Sequence, residues 1–221
     1  MRALVLVGLV GCGGHAAGTG TLVDAGADVD GFDVLITSTA SYVYAGFTTG
    51  LDKNGPRFAK PGGCATSSDA YSVVPTCLRS ITLGGVALSG ATLGDAVNPF
   101  WTTAPVTADE TLEVSACGTT ISAPVHARTG PAATGITAMR VGSDVTVSWS
   151  VGGADTSLVT LGTDFGGDSC LDAGQAHTFP NWSAPSRLTG SVQPLLGPEI
   201  TETALGQVRV WYGDATPFTV P

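Results

Sequence analysis

The sequence predicts an all-β protein built as one or two β-sandwich domains. Three observations carry that expectation. Apolar residues alternate with Thr and Ser at period two in many short segments. Glycine (31) and proline (13) are frequent enough to turn the chain repeatedly. No segment shows the apolar stripe of a strong amphipathic helix.

The strands follow in order. Phe32–Thr37 and Ser41–Phe47 are apolar and β-branched or aromatic, and Tyr71–Val74 is a shorter candidate. Cys77–Leu83 and Val86–Leu88 flank Gly84-Gly85, a two-residue hairpin signal. Leu112–Ala116 and Thr120–Val125 flank Gly118-Thr119, a second hairpin. The stretch Arg128–Gly135, with its Gly and Pro, reads as a linker. Strands resume at Ile136–Val141, Asp144–Val151, Ser157–Leu161, Ala176–Phe179, Ser191–Leu195 and Gln207–Tyr212. In the second of these, Val145, Val147, Trp149 and Val151 share one face and Thr146, Ser148 and Ser150 the other, the signature of a half-buried strand. Trp149 is therefore a core residue. The expected layout is residues 32–128 as a first sandwich, 129–135 as linker and 136–221 as a second. A single two-sheet domain over 32–221 is the alternative.

Charge excludes one class of function. Nine Lys and Arg stand against 18 Asp and Glu, a net charge of −9, whereas a nucleic-acid binder carries a basic patch. Only 12% of residues are charged, which argues against disorder.

The N-terminus carries an address. Met1-Arg2 precedes a short apolar run, Ala3–Val10, the layout of a secretory signal peptide. Eight residues of helix reach about 12 Å, too little for a hydrocarbon core of about 30 Å. Leu9-Val10-Gly11-Cys12 then resembles the lipobox of bacterial lipoproteins. The resemblance implies that residues 1–11 are removed by signal peptidase II and that Cys12 carries a diacylglycerol thioether. It also implies membrane attachment in the bacterial cell envelope. Gly13, where an Asp favours the inner membrane, points to the outer membrane. Residues 12–31 are small and polar and read as a flexible tether.

The strand Asp144–Ser150 (DVTVSWS) resembles the Trp-bearing strand of immunoglobulin-like and fibronectin type III domains, which implies immunoglobulin-like sandwiches. The Cys…Trp…Cys spacing of antibody-type domains is absent.

Setting Cys12 aside leaves Cys64, Cys77, Cys117 and Cys170, an even number that suggests two disulfides in an exported chain. The expected pairs are Cys64–Cys77, across a short polar loop, and Cys117–Cys170. Cys77–Cys117 between strands is the rival.

Candidate chemistry is sparse. Asp28, Asp30 and Asp33 read as a solvated acidic entry to the first strand. Asp164, Asp168 and Asp172 sit in a Gly-rich loop and are a weak candidate for a Ca²⁺ site; an exposed turn stapled by Cys170 is the plainer reading. His15, His126 and His177 show no paired metal spacing. No nucleophile-elbow motif occurs. No metal, cofactor or catalytic residue is therefore expected. Trp101, Trp182 and Trp211 are candidate ligand-binding aromatics, with Arg209 and Trp211 placed on an outward face. The function expected is a non-catalytic, lipid-anchored envelope protein that binds an unidentified protein or glycan or has a structural role. The alternatives are a lipoprotein hydrolase with a dispersed site and a Ca²⁺-stabilised or metal-binding module.

Overall fold

The structure is a computed structural model, and it describes residues 29–47, 64–66, 77–91, 100–154, 156–163, 166–182 and 187–221. The lipobox, Cys12, nearly all of the tether and the Tyr71–Val74 segment lie outside them. Seventeen strands and no helix occur among the described residues. They are β1 (Val29–Ile36), β2 (Ser41–Phe47), β3 (Cys64–Thr66), β4 (Leu78–Leu83), β5 (Val86–Ala87), β6 (Ser89–Ala91), β7 (Phe100–Thr103), β8 (Glu110–Ala116) and β9 (Thr119–Val125). After the linker come β10 (Thr134–Val141), β11 (Asp144–Ser150), β12 (Thr156–Thr163), β13 (Gly166–Asp172), β14 (Ala176–Phe179), β15 (Thr189–Thr203), β16 (Gly206–Tyr212) and β17 (Thr216–Thr219). The all-β expectation holds.

One ten-stranded sheet organises the molecule, in the order β3-β13-β12-β15-β16-β1-β2-β7-β6, with β17 also pairing β15. Two small sheets accompany it, β5-β4-β8-β9 and β10-β11-β14. The four-stranded sheet packs through Ile81, Leu83, Leu112, Val114, Ile121 and Val125 against Phe32, Val34, Ile36, Val208, Val210 and Tyr212. The three-stranded sheet packs through Val145, Val147, Trp149 and Phe179 against Val159, Leu161, Cys170 and Val192. Each fully buried Val or Leu contributes about 1.5–3 kcal/mol before chain entropy is subtracted.

The two cores do not follow the boundary at residues 129–135. β15 is 15 residues long, and its halves serve different cores. Val192 faces the second core and Leu196 packs on the first. The chain then turns into β16, which pairs parallel with β1, Gly31↔Gln207 through Ile36↔Tyr212. The expected second unit, 136–221, therefore lends a strand and a half to the first core. The physical reason is the length of β15: a strand long enough to cross both cores carries the sheet from one to the other.

Local signals explain most elements. The Gly84-Gly85 turn has φ of 59° and 77°, the left-handed pair that a two-residue hairpin requires. The second hairpin turns one residue earlier than expected. Cys117 (φ 51°) and Gly118 (φ 78°) occupy it, and Thr119 begins β9. Gly213 sits where three segments meet, and a Cβ there would stand 2.0 Å from the Pro194 carbonyl oxygen. Its N–H donates to Ile36 O (3.1 Å), and its own carbonyl accepts from Gln193 Nε2 (2.8 Å).

Candidate functional site

The described residues bring one chemically distinctive cluster together, at an edge of the second core. β3 is the last strand of the large sheet, and its register sets Cys64 opposite Cys170 of β13. The two are disulfide-bonded, with Cα atoms 4.0 Å apart. His177 lies on β14, in the facing three-stranded sheet, opposite Val147. Its Nε2 stands 3.3 Å from Cys64 Sγ. Its Nδ1 stands 2.9 Å from Asp172 Oδ2. A carboxylate can only accept, so Nδ1 carries the proton of a neutral ring and the Nε2 lone pair faces the sulfurs. The ring also meets Phe179 edge to face, with centroids 4.6 Å apart. Asp172 further accepts from the Gly174 N–H (2.6 Å), which fixes the turn between β13 and β14. Cys170 is buried, Cys64 is exposed and His177 is partly buried.

The disulfides correct the expected pairing. The structure joins Cys64 to Cys170 and Cys77 to Cys117, not Cys64 to Cys77 or Cys117 to Cys170. Sequence proximity misleads here because register decides. Leu78 opposes Ala116, so Cys77 and the hairpin residue Cys117 fall side by side. Cys64 pairs across a sheet edge with a residue 106 positions away.

The aromatic candidates are also corrected. Trp101 (9% exposed) belongs to the first core, and Trp211 (4%) to a third apolar cluster with Leu35 and Leu195. Trp182 packs partly buried on the second core and donates Nε1–H to Asp168 Oδ2 (3.1 Å). Trp101 and Trp211 therefore offer no ring face for stacking. The outward face assigned to Arg209 and Trp211 is buried too, because the large sheet is covered on both faces at β16.

The acidic candidates scatter. Asp164 and Asp28 lie outside the described residues. Asp168 holds Trp182 and Asp172 holds His177, so both are engaged by the protein itself. Asp33 is fully buried rather than solvated. Arg209, 2% exposed, donates to it twice, Nε to Oδ1 (2.7 Å) and Nη2 to Oδ2 (3.0 Å). The sequence held a signal for this pair that the reading missed: one acid in the apolar run Phe32–Ile36 and one base in the apolar run Val208–Tyr212. Across β2, Tyr44 opposes Asp33, and burial first, then Tyr42 and Asp33, push its hydroxyl well above the ordinary tyrosine range.

His126 is exposed and pairs with Asp109 (3.0 Å). The Ala127 N–H, then the His126 side chain, hold the Asp109 carboxyl below its ordinary range. At the linker, Arg128 donates to Glu199 Oε1 (2.7 Å), Tyr212 donates to Glu199 Oε2 (2.9 Å), and Arg128 lies 5.4 Å over the Tyr212 ring. Burial, then donation to Glu199, push the Tyr212 hydroxyl up to about 12.

The Cys64–His177–Asp172 cluster also escaped the sequence reading. A local signal exists in Cys170-Leu-Asp172-Ala-Gly-Gln-Ala-His177, a Cys, an Asp and a His within eight residues. Cys64 could not be joined to it without the β3–β13 register.

No family model matches the chain, and no curated protein matches it. Among solved structures it is similar to the central fibronectin-III array of RIM-binding protein, at 9% identity and a TM-score of 0.25, over 87% of this chain and 69% of that one. The sheets themselves define the class: an all-β protein of sandwiched sheets with two disulfides, the redox signature of a protein outside the cytosol.

Proposed function

We propose that the chain is a non-catalytic, lipid-anchored module of the bacterial cell envelope that presents a β-sandwich scaffold to a protein or glycan partner or to the envelope itself. The single observation that carries this reading is Leu9-Val10-Gly11-Cys12 behind a short apolar run. A lipid anchor needs the Cys12 sulfur as nucleophile, and two or three acyl chains, at about 0.8 kcal/mol per buried CH₂, hold a chain stably where one does not. The two disulfides support an oxidising compartment. A net charge of −9 supports a partner other than nucleic acid.

The test is labelled palmitate in the native host. Wild type incorporates label and partitions into detergent. Cys12→Ser does neither, because the thioether cannot form. Label-free wild type in the soluble fraction overturns the anchor.

A further inference from the structure

We propose that Cys64, Cys170 and His177 form a redox-gated binding site for a thiophilic divalent cation, Zn²⁺, which opens when a dithiol reduces the Cys64–Cys170 bond. The proposal is independent of the anchoring at Cys12.

Three ligand atoms already converge. The two Sγ atoms and a ring nitrogen of His177 all lie within 4.8 Å of one another. Tetrahedral zinc, with Zn–S near 2.3 Å and Zn–N near 2.0–2.1 Å, wants sulfurs about 3.8 Å apart and sulfur–nitrogen distances of about 3.6 Å. The Cys64 Sγ to His177 Nε2 distance is 3.3 Å. Once the S–S bond breaks, rotation about χ1 of two cross-strand side chains lets the sulfurs part without moving the backbone. Two thiolates and an imidazole are a zinc donor set, with the fourth position left to water.

The surroundings suit a ligand histidine. Asp172 accepts the Nδ1 proton, which fixes the ring's orientation and leaves Nε2 toward the Cys64 sulfur. The ring is seated against Phe179, and Asp172 is itself held by the Gly174 N–H. The three donors come from β3, β13 and β14, which belong to the two facing sheets of the second core. A cation there would replace the covalent clamp at this edge with a coordinate one that also ties the sheets together.

The gate follows from exposure. Cys64 is exposed and Cys170 is buried, so an incoming thiolate attacks Cys64 Sγ and Cys170 leaves as thiolate. The second thiol of the dithiol then displaces Cys64 and closes its own disulfide. Two electrons pass from the dithiol to the protein, and its two protons end on, or exchange with, the two cysteines. Zinc binding then releases those two protons to solvent.

The experiment uses the full chain carrying Cys12→Ser, which removes the tether thiol. The protein is reduced with a phosphine without air and titrated with Co²⁺, then Zn²⁺. Oxidised protein should show no thiolate-to-cobalt charge-transfer band. Reduced protein should take up one cation, show that band with tetrahedral ligand-field bands, and lose them to Zn²⁺. His177→Gln and Asp172→Asn should each weaken Zn²⁺ at least about tenfold, and Cys64→Ser should abolish the cobalt bands. The same titration in a Cys77→Ala/Cys117→Ala background leaves one reducible bond and should give the same uptake. Equal binding by the Cys64→Ser chain overturns the proposal. So does a reduced chain that takes up no cation, or one that unfolds in both backgrounds and is not restored by Zn²⁺.

Discussion

Arg209→Ala should be among the most damaging single changes in the molecule. Its guanidinium and the Asp33 carboxylate are 2% and 0% exposed, and they meet through two charge-assisted hydrogen bonds of 2.7 and 3.0 Å. Removing one member takes two charge-assisted hydrogen bonds from a buried charge, which costs about 3–5 kcal/mol. The pair also staples β1 to β16, residues 176 positions apart in the chain, so its loss falls on the long-range parallel pairing of the large sheet. The assay is guanidinium unfolding followed by tryptophan emission. With a slope of about 4 kcal/mol per molar denaturant, a loss of about 4 kcal/mol lowers the midpoint by about 1 M. Asp33→Ala should cost a similar amount. The double variant, which removes both buried charges, should recover at least about 2 kcal/mol relative to the sum of the singles. A midpoint shift under about 0.25 M for Arg209→Ala, or strict additivity in the double variant, would refute the reasoning.

Peptide mapping under non-reducing conditions should recover Cys64 linked to Cys170 and Cys77 linked to Cys117; a Cys64–Cys77 peptide would contradict the β3–β13 register. Opening the Cys77–Cys117 bridge, with its separation of 40, should cost up to about 4 kcal/mol in the chain-entropy model, read as a lowered melting temperature in a Cys77→Ala/Cys117→Ala chain. Gly213→Ala places a methyl 2.0 Å from Pro194 O, so its melting temperature should fall by several degrees, and an unchanged value would show that the crossing relaxes freely. Tyr212 ionises at about 12 in the fold and near 10 when unfolded, so the unfolded chain gives up its proton first. Its contribution is complete below about pH 10 and declines as pH rises toward about 12, and Tyr212→Phe should flatten that part of the stability profile, while an unchanged profile would show that Tyr212 is not the group responsible.

Period-two patterning made a strand legible where only one of its faces lies against a core. It served well for Asp144–Ser150, where the apolar face is Val145, Val147 and Trp149 and the polar face looks out. It failed at β16, since Val208 to Tyr212 are buried on both faces and alternation then carries no directional information. Arg209 and Trp211 read as surface residues for that reason. The short strands β3, β6, β7 and β17 went unread because three or four residues hold too little pattern, and β13 because its Gly and Asp residues look like a loop. Most of the candidate site hung on those elements. A disulfide between β3 and β13, met by a histidine from β14, is a product of sheet order, and sheet order is set by long-range register that no local window contains. What the sequence did hold was three of the four cluster residues, Cys170, Asp172 and His177 within eight positions, and the lone opposite charges of two apolar strands. In a chain with only 12% charged residues, a charge inside an apolar run is itself information. Burying it unpaired costs several kcal/mol, so its counter-ion must lie in another run of the same kind, and Asp33 with Arg209 satisfies that demand across 176 positions.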